Sequence, residues 1–133
     1  ESKWEQVSAL LLAVYDHSVI VQESTQTLYV LGGYSPARYT DVIQELSLKT
    51  FIWKQLSFIL PSKTGYIPIF KPISNSDDFF FILGNKLYSW NPNSAPREIR
   101  SLSACIQNYY GPSYYSQGTV YCSNHQGAAT KLA

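Results

Sequence analysis

The chain has 133 residues, a formal net charge of +1, 15% aromatic residues and only 14% charged ones. That length holds one small domain with a real core, while the balanced charge, with no cluster of Lys or Arg, leaves no electrostatic footprint for nucleic acid. No apolar run approaches the ~20 residues of a membrane-spanning helix, so no membrane insertion within this chain is expected, and no charged segment precedes "ALLLAVY" (9–15) to make it a signal peptide. Cys105 and Cys122 are the only cysteines. They allow one disulfide, but are too few for a disulfide scaffold or a four-ligand zinc site. Eleven Tyr, six Phe and three Trp suit the pleated, half-buried face of a sheet, so the expected class is all-β.

In chain order, the first predicted strand is "KWEQVS" (3–8), which matches "IWKQLS" (52–57) and reads as the last strand of a preceding unit. A four-stranded unit follows, with strands a to d at 17–22, 27–32, 42–48 and 51–58. Strand b ends in the doublet Gly32-Gly33, and a turn at Leu48-Lys49-Thr50 separates c from d. The pattern then repeats, with strands at 66–71, 79–83, 86–90 and 97–102, Gly84 after strand b, and a turn at Pro92-Asn93-Ser94. A partial third unit supplies "PSYYS" (112–116), a Gln117-Gly118 turn and "TVYCSN" (119–124). One region is therefore expected over 1–133, divided into a last strand (3–8), a unit (14–58), a degenerate unit (64–102) and a partial unit (103–126).

Four strands per unit and the 49-residue spacing from Trp4 to Trp53 fall in the window of propeller blades. The hydrophobic strand ending in Gly-Gly, the turn with Thr50 and Trp53, and the His17-Ser18 pair before strand a resemble the kelch repeat. Asn91-Pro92 resembles the Asp-Pro of its c–d turn. Leu46 and Trp90 stand where Tyr is usual, Arg97 replaces the Trp, and Gly84-Asn85 replaces the doublet. The stretch "YDHSVIVQESTQTLYVLGGY" is similar to kelch units of extracellular attractin-like proteins. This leans localisation to the outside of the cell, with a cytoplasmic setting as the alternative. The resemblance implies kelch-type β-propeller blades of four antiparallel strands. With fewer than the four to eight blades that close a propeller, it also implies other chains or missing blades to complete it. Gly32 and Gly33 are then packing residues that let backbones pass closely, and Trp4, Trp53 and Trp90 are structural aromatics that fill the wedge between blades.

Several residues invite sharper chemistry. "GGY" is followed by "SPARYTD" and a strand, not by the helix a phosphate loop needs. Asp16, His17 and Ser18 are neighbours whose side chains alternate in direction, so they form no triad among themselves. His17 is expected instead to hydrogen-bond a neighbouring blade. Asp77-Asp78 read as turn formers. Tyr121, Cys122 and His125 evoke the copper site of galactose-oxidase-type propellers, but the chain has only two His, and such sites need several convergent ligands. No catalytic residue, metal or cofactor is therefore expected.

Binding is assigned by strand alternation. The b–c segment (34–41) and the d–a segments (57–65 and 103–110) emerge at one end of the blades, gathering Tyr34, Arg38, Tyr39, Lys63, Tyr109 and Tyr110. Tyr and Arg are enriched at interaction hot spots, and loops carry binding. The expectation is a protein-interaction module for a protein or peptide partner, part of a larger receptor or adaptor. The alternative is a carbohydrate-binding or galactose-oxidase-like propeller.

Overall fold

The computed structural model describes residues 3–71 and 77–101 in full, and the backbone of three further strands between 113 and 132. No helix occurs among the described residues; twelve strands do. The protein is all-β and its sheets are antiparallel throughout.

The first sheet contains β1 (Ser18–Gln22), β2 (Thr27–Leu31), the two-residue β3 (Tyr34–Ser35), β4 (Arg38–Ser47) and β5 (Trp53–Thr64). Its main path is a meander in which β1 pairs with β2, β2 with β4, and β4 with β5. The turns explain the path. Gln26, at φ 54°, closes the β1–β2 turn by donating its N–H to the Glu23 carbonyl at 3.2 Å. Between β4 and β5, the Ser47 hydroxyl accepts the N–H groups of Lys49 and Thr50, both at 3.2 Å. The Ser47 carbonyl accepts that of Phe51 at 2.7 Å. This local bonding is what makes Ser a turn residue.

The second sheet runs β6 (Ile69–Phe70), β7 (Phe79–Leu83), β8 (Lys86–Trp90) and β9 (Arg97–Ser101), each paired with the next. Gly84-Asn85 connects β7 to β8 as a two-residue hairpin closed by Leu83 opposite Lys86. The Asn91 side-chain carbonyl caps the β8–β9 turn by accepting the Asn93 N–H at 3.0 Å. Every residue of β9 is exposed, and its Glu98 pairs with Lys86 at 3.1 Å on the surface. A third sheet orders β10 (Ser113–Ser116), β11 (Thr119–Ser123) and β12 (Ala129–Leu132).

The first two sheets share one core. Tyr29, Leu31, Ile43 and Leu60 from the first meet Phe79, Phe81 and Trp90 from the second and Ile67 from the connection between them, all buried. The Tyr29 ring packs edge-on against the Trp90 indole at 5.2 Å and 82°, and Phe79 lies 5.8 Å from the same indole. Such aromatic pairs add ~0.5–1.5 kcal/mol beyond area burial. Ser18, 1% exposed, locks the inner edge. Its hydroxyl donates to the Ile67 carbonyl and accepts the Ile67 N–H, both at 2.8 Å. At the turn end, Ser24 donates to the Asp77 carboxylate at 2.6 Å, and the Asn91 amide donates to Asp78 at 3.0 Å. The two aspartates therefore bond specific neighbours.

Several sequence expectations differ from these strands. Residues 3–8 pair with no strand among the described residues, and Trp4 is fully exposed; partners for a strand there would have to come from outside the described sheets. Residues 8–14 instead lie against the first sheet with a bend at Leu11-Leu12, Ser8, Leu10, Leu12 and Val14 being half-buried and the residues between them exposed. The Gln44 amide, 1% exposed, holds this segment by accepting the Leu12 N–H at 2.9 Å and donating to the Leu12 carbonyl at 3.0 Å. Strand β4 begins at Arg38, not at 42, and β5 runs to Thr64, not to 58. The first strand of the second sheet covers only Ile69–Phe70, where 66–71 was expected. Strand β12 lies beyond the expected end of the partial unit at 126. The His17 Nδ1 is buried with no partner among the described residues, so that atom makes no hydrogen bond to the second sheet. Ser18 joins the sheets instead.

The glycine doublet sits where three segments cross. Gly32 donates to the Val42 carbonyl and Gly33 to the Thr64 carbonyl, at 3.0 and 2.8 Å. A Cβ on Gly33 would stand 2.9 Å from the Cβ atoms of both His17 and Val14, at φ 108°. Only a residue without a side chain fits that crossing. The structural Trp residues diverge. Trp90 is wholly buried on the central strand β8, whereas Trp53 is half-buried on the outer strand β5; the indole N–H of each is buried with no partner among the described residues.

Candidate functional site

Beyond the doublet the chain forms a small hairpin, with Tyr34 opposite Tyr39 and Ser35 opposite Arg38. Pro36 and Ala37 make its two-residue connection. Proline pre-sets the first turn position, while Ala37 takes φ 77°, a value that glycine or asparagine usually supplies. The Ser35 hydroxyl closes the hairpin by donating to the Arg38 carbonyl at 3.3 Å. Tyr15 then adds a further rung. It bridges to Tyr34 through reciprocal backbone bonds of 3.1 and 2.7 Å.

Residues directly opposite on neighbouring strands share a face. The result is a ladder of three tyrosines, Tyr15–Tyr34–Tyr39. The ring centroids are 5.3 Å apart with a 56° tilt for the first pair, and 4.9 Å apart with a 76° tilt for the second. Tyr15 is 65% exposed, Tyr39 is 42% exposed and Tyr34 lies half-buried between them. The two outer rings thus offer apolar area at the rim of the sheet.

Asp16 follows Tyr15 at φ 56°, a left-handed conformation that Asp tolerates better than most residues. Its carboxylate lies over Gly65. A Cβ there would fall 2.5 Å from Asp16 Oδ2 and 3.0 Å from Tyr39 Cε1. The missing side chain at Gly65 therefore lets the carboxylate and the Tyr39 ring edge approach the same spot. Tyr66, 49% exposed, is the next residue. Asp16 makes no hydrogen bond or ion pair among the described residues.

Of the residues singled out from sequence, Tyr34 and Tyr39 are brought into contact. Arg38 is exposed at the same end, but alternation along β4 turns it to the opposite face from Tyr39. Lys63 is exposed near the end of β5, beside Thr64, which pairs with Thr40. It sits in a strand and not in the expected loop. Tyr109 and Tyr110 lie outside the described residues, as do Cys105 and His125. Tyr121 and Cys122 fall on β11, where only the backbone is described. Sequence reasoning missed Tyr15, Asp16 and Gly65 as members of this site. The available signal was the recurrence of Tyr around the doublet, but nothing in the local pattern brings Tyr15 beside Tyr34.

A second depression, about 430 Å³, lies on the outer part of the first sheet and is lined by Thr27, Glu45, Ser47, Thr50, Ile52 and Lys54. It gathers hydroxyls with one carboxylate and one ammonium. Beneath it, burial and the nearby Glu45 charge push the Tyr29 hydroxyl up to about 12, partly offset by a hydrogen bond with Thr27. No group of three or more His, Cys, Asp or Glu is placed to hold a metal among the described residues. No helix among them is long and apolar enough to cross a membrane. No family model matches this chain, and no curated protein is significantly similar to it.

Proposed function

We propose that the chain is part of a kelch-type β-propeller that binds a protein or peptide partner through the end of the first sheet bearing the tyrosine ladder. The fold part of this reading rests on two antiparallel meanders, β1-β2-β4-β5 with the short β3 added on β4, and β6-β7-β8-β9, which pack on one core. Their first strands lie side by side, and Ser18 of the first is doubly hydrogen-bonded to Ile67, two residues before the second. Up-and-down sheets packed face to face in the same strand order are how propeller blades follow one another. The glycine doublet, at the crossing of three segments, fits the same reading.

The functional part rests on one observation above the others. Three tyrosines contact each other in a ladder while two of them stay substantially exposed. What sets these rings apart from the other exposed apolar residues is that they touch one another in a single patch. Exposed aromatic clusters on a rigid strand scaffold are the usual anchors of interaction surfaces. The opposite end, with the turns around Ser24-Thr25 and Lys49-Thr50, exposes Phe51 and Ile52 but no cluster of rings in contact among the described residues, and its Ser24 hydroxyl is already engaged with Asp77. Binding is therefore assigned to the ladder end, without catalysis.

Truncation at the two ends tests the assignment. Tyr15→Ala combined with Tyr39→Ala is expected to weaken a genuine partner at least tenfold, since an anchor residue is worth upwards of ~2 kcal/mol. Thr25→Ala with Lys49→Ala is expected to leave binding unchanged. Loss of binding with the second pair and not the first reverses the choice of face.

A further inference from the structure

We propose that the corner formed by Tyr15, Tyr34, Tyr39 and Asp16 receives a cationic side chain, Lys or Arg, from the partner. This rests on the binding-face reading above and adds the chemistry of what enters the site. Three features carry it. The rings are inclined to one another by 56° and 76°, so they present walls meeting at an angle and not a continuous flat platform. A sugar face stacks best on a flat ring, whereas a compact cation gains from several ring faces turned towards it at different angles.

The second feature is charge. Asp16 sets a carboxylate beside the Tyr39 ring edge over Gly65 and spends it on no ion pair or hydrogen bond among the described residues. The neighbouring cations do not neutralise it, because the only ion pair among the described residues is Lys86 with Glu98 and Arg38 projects from the opposite face of β4. The third is the backbone. Asp16 adopts φ 56° directly after the Tyr15 bridge, and Gly65 supplies the space that lets the carboxylate lie there. An apolar, ring-walled corner with one unpaired negative charge is complementary to an alkyl stem that ends in a positive charge.

Fluorine NMR of the chain labelled with fluorotyrosine reads the site directly. The probes are tetramethylammonium chloride, its neutral isostere tert-butanol, and a methyl glycoside. Tetramethylammonium is expected to shift the Tyr15 and Tyr39 resonances saturably in the millimolar range, while tert-butanol gives only a weak linear drift. Asp16→Asn keeps the shape and tolerates the left-handed backbone; it is expected to weaken tetramethylammonium binding about fivefold and to leave other resonances in place. Equal binding of both isosteres, or an Asp16→Asn titration identical to that of the parent chain, overturns the proposal. Saturation by the glycoside and not by tetramethylammonium overturns it in favour of a carbohydrate. Should the cation fail while Tyr15→Ala with Tyr39→Ala still abolishes partner binding, the binding face stands and the cation is refuted. Should the cation bind while that pair leaves the partner unaffected, the function proposed above fails and the cation site remains.

Discussion

Ser18→Ala is a sharp test of how the first two sheets are joined. The Ser18 hydroxyl satisfies both backbone groups of Ile67, donating to its carbonyl and accepting its N–H, each at 2.8 Å. Both residues are 1% exposed, so water cannot replace the lost partner without opening the interface. Leaving a buried polar group unpaired costs ~1–3 kcal/mol. With two groups orphaned and partial relaxation allowed, the loss is expected at about 2–4 kcal/mol. Urea denaturation followed by tryptophan fluorescence reads it as a lower midpoint with an unchanged slope. Ser24→Ala is the control. It removes the exposed contact to Asp77 between the same sheets and is expected to cost less than about 1 kcal/mol, because solvent compensates there. A Ser18→Ala loss below about 0.5 kcal/mol, or one matched by Ser24→Ala, refutes the view that this buried hydroxyl holds the sheets together.

Gly33→Val is expected to destabilise by several kcal/mol, since its side chain meets His17 and Val14 at 2.9 Å and φ is 108°. Gly84→Ala faces open space at φ 66° and is expected to lose only about 1–2 kcal/mol of backbone strain; equal melting shifts for the two would contradict the crossing described for the doublet. Ala37→Gly relieves φ 77° in the hairpin turn and is expected to stabilise by about 0.5–1 kcal/mol, an increase that thermal melting detects. Tyr29 holds its proton up to about 12 when folded against 10 for the free side chain. Its contribution is therefore complete below pH 10 and is lost as pH rises towards 12, an alkaline decline in stability. Tyr29→Phe should be flatter than the parent chain over that window in parallel denaturation series.

The strands of regular alternation were legible in the sequence because their signal is local. Strands β2, β7, β8 and β9 fall within a residue of expectation, bounded by Gly, Asn and Ser turns whose chemistry is written in the residues themselves. The early start of β4 was hidden because the hairpin before it turns at Ala37, a residue with no preference for the conformation it adopts. The length of β5 was hidden by Pro61, which reads as a breaker. On an outer strand, within the bulged stretch between Ile59 and Thr64, its missing N–H breaks no regular ladder. The path of residues 8–14 depends on the Gln44 amide thirty-two positions away, and a side chain acting in place of a strand leaves no period to read. The same holds for the site. Tyr34 and Tyr39 were within reach because only four residues lie between them around a turn. Tyr15, Asp16 and Gly65 join them only through a long-range bridge and a close approach.

The account turns on which end of the sheets meets a partner, and site-specific photocrosslinking reads that directly. A benzophenone amino acid replaces Tyr39 in one preparation, preserving an aromatic ring, and Thr25 in another, both presented to the same native extract. The account predicts a discrete adduct from the Tyr39 position that disappears when Tyr15→Ala is added, and none from the Thr25 position. An adduct from Thr25 with none from Tyr39 would contradict it.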